Sequence, residues 1–95
     1  MQQISPSQIP DKAVLIDIRD DLEQVAKPLV SSFRVLAVAL SELEDGNPSL
    51  PNCPLVVVCS TGRQSEYAGG LLEALGASDV LILEGGFKAL TPPPK

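Results

Sequence analysis

Residues 56–75 read VVVCSTGRQSEYAGGLLEAL, and this stretch decides the fold. Its first half is β-branched and apolar, the composition of a buried strand. The strand closes on Cys59. Five small or polar residues follow, and then Ala68, Leu71, Leu72 and Leu75 fall on one helical stripe, which predicts a helix from about Arg63 to Leu75. Gly76 is its natural stop. Gly69 and Gly70 lie inside that helix at about 1 kcal/mol each relative to Ala, a penalty that close packing on a sheet would offset. A strand that feeds a helix through a short loop is half of a βαβ unit, so the rest of the chain should alternate in the same way.

The flanks follow that alternation. Residues 80–83 (VLIL) read as another strand, residues 85–87 (GGF) turn into a short last helix, and TPPPK trails off extended. Upstream, residues 13–17 (AVLID) form an almost continuous apolar run, as in a parallel strand covered on both faces. Asp20 and Asp21 open a helix that runs to about Lys27 and stops at Pro28. Residues 35–38 read as a strand. Ser41-Glu42-Leu43-Glu44 has capping-box spacing and predicts a short helix that ends near Gly46. SPSQ, residues 5–8, reads as a helical turn capped by Ser5. The expectation is one α/β domain over residues 1–95, with a small parallel sheet of four to five strands flanked by helices on both faces.

Composition narrows the function. The chain has 95 residues, 44% of them hydrophobic, enough for one packed core. The net charge of −5 and the lack of any basic block argue against a nucleic-acid partner. No apolar run is long enough to span a bilayer, so no membrane is expected. MQQISPSQIP has neither the basic start nor the apolar stretch of a signal peptide, which makes the cytoplasm the default setting. Thiols there stay reduced, so Cys53 and Cys59 are expected to be free. The chain has no histidine, which excludes a Cys-His or Ser-His-Asp pair within it. Two cysteines alone do not fill a zinc site. Neither a metal nor a cofactor is expected, and monomer is the default state.

Cys59 has two readings. A free cysteine at the end of an apolar strand is commonly inert core. Ligands, however, gather at the carboxyl ends of strands in such sheets. A loop made of Ser60, Thr61, Gly62, Arg63 and Gln64, feeding a helix N-terminus, turns backbone N–H groups toward an anion. The first anion such a cradle stabilises is the Cys59 thiolate. The combination of strand, cysteine, loop and helix favours the functional reading for Cys59. Cys53, in the Pro-rich connection before the strand, reads as structural. A cysteine phosphatase would need arginine at the sixth position after Cys59, and Ser65 stands there instead. Arg63 comes two positions too early. A ring of this size suits a single sulfur.

These segments resemble the single-domain rhodanese-like sulfurtransferases. VLIDIRDDLE is similar to the family's first strand with its Asp-x-Arg ending. LSEL resembles the helix after the second strand, VVVCSTGRQS the six-residue active loop, and SDVLILEGGFKAL the last strand, Gly-Gly turn and closing helix. PLVSSFRVLA replaces a histidine-containing segment of the family. Ser60 and Gln64 stand at loop positions that are often basic, or Arg or Thr, in active members. Phe87 stands where the family usually has Trp.

The resemblance implies a persulfide mechanism. The Cys59 thiolate takes a sulfane sulfur from a small sulfur-containing anion such as thiosulfate, or from a sulfur-carrier protein. Residues Ser60 to Gln64 cradle the resulting persulfide, and a thiophilic acceptor removes the outer sulfur. Arg63 would steer an anionic donor or help hold the persulfide, with a solvated surface charge as the alternative reading. Asp17 and Arg19 would buttress nearby loops, and Arg34 is a further cation of undetermined direction. Two other readings stand beside this one. The first is a rhodanese-like docking or regulatory module with little activity. The second is a phosphocysteine carrier, whose cysteine typically follows the first strand rather than the third.

Overall fold

A computed structural model describes residues 2–19, 21–26, 33–46, 50–59, 64–77 and 79–87. The elements are β1 (Gln2–Ile4), β2 (Val14–Asp17), α1 (Asp21–Ala26), β3 (Arg34–Ala37), α2 (Leu40–Asp45), β4 (Leu55–Val58), α3 (Ser65–Ala74) and β5 (Val80–Leu83), with a 3-10 turn at Pro6–Gln8. The five strands form one sheet in the order β1-β5-β4-β2-β3. Every pairing is parallel. This is the α/β sheet expected from the strand–helix alternation.

The centre of the sheet explains why its strands read so clearly. All four residues of β2 and all four of β4 are buried. Successive side chains of a strand point to opposite faces, and the two faces form two separate cores. Val14, Ile16, Leu55 and Val57 pack with Leu43 of α2 and with Ala68 and Leu72 of α3. Leu15, Val56 and Val58 pack on the other side with Ile4, Ile9 and Leu83, joined by Phe33, Val35 and Phe87. The register sets Ile16 against Val57 and Leu15 against Val56, so each face presents matched apolar rows.

Several local expectations are corrected. β1 was not foreseen. It is a three-residue edge strand with two exposed residues, made by pairing with β5 rather than by its own pattern. β3 begins one residue early, at Arg34, and α3 begins at Ser65 rather than near Arg63. Ser41 does not cap α2. The helix starts at Leu40 with Ala39 as N-cap, and no side chain bonds the cap. Near the N-terminus the expected cap is present: Ser5 is the N-cap, Gln8 accepts a 2.9 Å hydrogen bond from the Ser5 N–H, and the turn is 3-10. Gly69 is buried in α3, but a Cβ on Gly70 would meet nothing within 4 Å, so close packing does not account for Gly70. Gly76 follows α3 with φ of 101°, as its stop role requires.

Candidate functional site

The carboxyl ends of β2 and β4 lie side by side, with Asp17 paired to Val58. Cys59 is the next residue on β4, and the Ile18 N–H donates to the Val58 carbonyl at 3.0 Å. Cys59 is therefore at the edge where the loop-to-helix connection begins. It is only 3% exposed and packs with Ala68 and Leu72 on the α3 face.

Burial alone would suit an inert core thiol, but the sulfur is in a polar contact. The Ser65 hydroxyl donates to Cys59 Sγ at 3.2 Å. Ser65 is the first residue of α3 and is fully buried, so the contact joins the end of β4 directly to the start of the helix. Gln64 is exposed at the N-cap of α3, and its carbonyl accepts from the Ala68 N–H at 3.0 Å. Ser60, Thr61, Gly62 and Arg63 lie outside the described residues.

A second set of contacts holds the Cys59 backbone. The Phe87 N–H donates to the Cys59 carbonyl at 2.6 Å. Gly85 and Gly86, with φ of 81° and 63°, make the turn that brings Phe87 there, a conformation that other residues adopt only at a cost. The Phe87 ring lies under Arg19, whose guanidinium carbon is 4.0 Å from the ring centroid. Arg19 in turn meets Asp17 through Nε–Oδ1 and Nη2–Oδ2 contacts of 3.0 Å each, and its N–H adds a 3.1 Å bond to Oδ1. Both side chains of the pair are buried. Gln24 of α1 donates to the Arg19 carbonyl at 2.9 Å. Asp17 and Arg19 thus brace the Cys59 backbone through Phe87.

Arg34 stands elsewhere. It pairs with Val14 at the amino end of β2, the edge opposite Cys59. A cavity of about 230 Å³ is also at that end, lined by Leu50, Pro51, Asn52, Cys53, Leu75, Gly76 and Ala77. Neither Cys53 nor Cys59 is in a disulfide. Among the described residues, no group of acidic, cysteine or histidine side chains is placed to hold a metal ion. No described helix is long and apolar enough to cross a membrane.

Ser65 and the Phe87 N–H are the contacts that sequence reasoning missed. A signal for Ser65 was present, since it falls on the same stripe as the buried Ala68 and Leu72. A lone hydroxyl on an apolar stripe needs a buried partner.

Comparison with known proteins agrees with this architecture. The chain is 34% and 32% identical to the thiosulfate sulfurtransferase GlpE of two Pseudomonas fluorescens strains, in each case over 76 residues that make up 80% of this chain and 68% of the relative. Among solved structures, a rhodanese homolog from Thermus thermophilus superposes with a TM-score of 0.73 at 30% identity, covering 94% of this chain and 100% of that one. An NAD-dependent persulfide reductase from A. fulgidus superposes with a TM-score of 0.75 at 25% identity, covering 95% of this chain but 16% of the reductase. The sequence matches the Rhodanese-like domain family over residues 5–91, and the chain belongs to that family.

Proposed function

We propose that the chain is a sulfurtransferase that carries a sulfane sulfur on Cys59. The observation that carries this reading is the Ser65–Cys59 contact, a buried thiol at the end of a central strand held by a hydroxyl at the start of the following helix. The GlpE relatives, named as thiosulfate sulfurtransferases, point to thiosulfate as the donor to try first.

Transfer proceeds in two steps. The Cys59 thiolate attacks the sulfane sulfur of thiosulfate. A bond forms between Sγ and that sulfur, the bond to the sulfonate group breaks, and sulfite leaves with the electron pair. The product is a Cys59 persulfide with its negative charge on the outer sulfur. A nucleophilic acceptor then attacks that outer sulfur, the Sγ–S bond breaks, and the pair returns to Sγ, which regenerates the thiolate. No net oxidant or reductant is consumed. Arg63, between β4 and α3 in sequence, supplies a positive charge for an anionic donor on a chain whose net charge is −5. Ser60, Thr61, Gly62 and Gln64 complete the loop that receives the persulfide.

Intact mass after incubation with thiosulfate, beside a Cys59→Ser control, tests the proposal. The expected result is a gain of one sulfur, reversed by cyanide and absent from the control. No gain with thiosulfate, nor with a small-molecule persulfide, would overturn the enzyme reading in favour of a docking module.

A further inference from the structure

Ser65 combines two properties that rarely coincide. It is completely shielded from solvent, and it sits on the helix stripe that Ala68 and Leu72 fill with hydrocarbon. Alanine would fill that stripe equally well. A buried hydroxyl must find a partner, and the one it has is the Cys59 sulfur, 3.2 Å away. The distinct contribution of the hydroxyl therefore falls on the sulfur.

Resting on the sulfurtransferase reading of Cys59, we infer that Ser65 is a catalytic residue whose hydroxyl stabilises Cys59 Sγ as the leaving group when the persulfide is discharged. The negative charge changes place during the cycle. In the thiolate that attacks the donor the charge is on Sγ, the atom that the Ser65 O–H faces. In the persulfide it has moved to the outer sulfur, and Sγ is bonded to both Cβ and sulfur. A hydrogen bond to a charged acceptor is stronger than one to a neutral acceptor. The Ser65 bond is therefore strong before charging, weak in the persulfide, and strong again as the Sγ–S bond breaks and the electron pair returns to Sγ. The proton stays on Oγ throughout.

The two half-reactions should then respond unequally to loss of the hydroxyl. In discharge, the group being stabilised is the departing thiolate, so the hydroxyl assists directly. In charging, the same thiolate is the nucleophile. Losing the hydrogen bond destabilises that anion but makes it more nucleophilic, and the two effects partly cancel.

The test is single-turnover kinetics on the full chain with Ser65→Ala and Ser65→Thr beside the wild type. Charging is read as mass gain with thiosulfate. Discharge is read as mass loss when cyanide is added to the purified persulfide. For Ser65→Ala, discharge is expected to slow about tenfold, the lower end for a hydrogen bond to a charged group. Charging should slow no more than about threefold. Ser65→Thr keeps the hydroxyl and should restore discharge. Equal losses in both half-reactions, or no loss in either, would overturn the inference. Circular dichroism and a urea midpoint check the fold of each variant. If the threonine is too large for the site, Ser65→Gly, which also lacks the hydroxyl, should show the same unequal losses as Ser65→Ala, and equal losses would overturn the inference.

Alkylation of the resting thiol by iodoacetamide at neutral pH separates this inference from the transferase reading, because it needs no sulfur transfer. It should slow about threefold in Ser65→Ala. An unchanged alkylation rate would show that Ser65 does not act on the sulfur. A wild-type chain that takes up no sulfur, but shows the alkylation effect, would overturn the transferase reading and the leaving-group role with it.

Discussion

Arg19 lies between Phe87 and Asp17, with its guanidinium carbon 4.0 Å from the centroid of the Phe87 ring and its nitrogens on the Asp17 carboxylate at 3.0 Å. The planar fork of arginine meets a carboxylate through two parallel bonds while its face stacks on an aromatic ring, a pair of contacts that lysine cannot reproduce together. Both members of the ion pair are buried, so removing one leaves the other uncompensated. Arg19→Met should cost about 3–5 kcal/mol of stability in urea unfolding. Arg19→Lys should recover only part of that loss, and full recovery would show that a point charge suffices.

The ring has its own share. Phe87→Leu keeps the backbone N–H that bonds Cys59 but removes the aromatic face under Arg19. A double-mutant cycle of Phe87→Leu with Arg19→Met should give a coupling of about 1–2 kcal/mol, the range for a desolvated cation over a ring. A coupling near zero would mean that the two side chains only share space.

Two glycines of α3 and its end should respond in opposite directions to the same substitution. Gly70 is helical, and an added Cβ meets nothing within 4 Å. Gly70→Ala should raise stability by about 0.5–1 kcal/mol through the helix preference for alanine. Gly76 is equally open, but its φ is 101°. Gly76→Ala should lower stability by about 1–2 kcal/mol because the backbone must hold an L residue in a left-handed conformation. Thermal melts of the two variants check both signs.

Tyr67 is the only tyrosine of the chain, so its ionisation can be followed by ultraviolet absorbance. Its hydroxyl donates to Glu44 Oε2 at 2.8 Å. That bond is the largest cause of a shift above the ordinary value of 10.0, with desolvation and the Glu44 charge adding in the same direction. The wild-type titration midpoint should therefore lie above that of Glu44→Ala, and equal midpoints would contradict the contact. Because the folded value exceeds the unfolded one, the α2–α3 bond contributes stability that is present below pH 10.0 and is lost as pH rises through the folded value.

The legible parts of this fold were those that burial writes into single segments. β2 and β4 are covered on both faces, so VLID and LVVV stand out as apolar runs. β1 left no such trace, because QQI becomes a strand only when β5 offers it an edge. The Ser41 box misled because the chain enters α2 from Ala39, so that Ser41 already lies inside the helix. At the site, Cys59 and its helix were legible from their order along the chain. The bracing role of Asp17 and Arg19 came from the family resemblance, but that Phe87 completes the stack was not legible, since it comes from the opposite end of the sequence and meets them only over one sheet edge. The Ser65 contact needed the angular position of α3, which no local pattern specifies.

β4 also separates the chain's two thiols. Cys53 precedes the strand and Cys59 follows it, so roughly 15–20 Å of extended backbone lies between them at about 3.3 Å per residue. A disulfide needs the two Cα atoms within about 7 Å. Cys53 therefore has no way to act as a resolving thiol for Cys59. If Cys59 carries sulfur as proposed, Cys53 cannot take it off within the same fold, and the lifetime of the loaded state is set by whatever nucleophile arrives from outside.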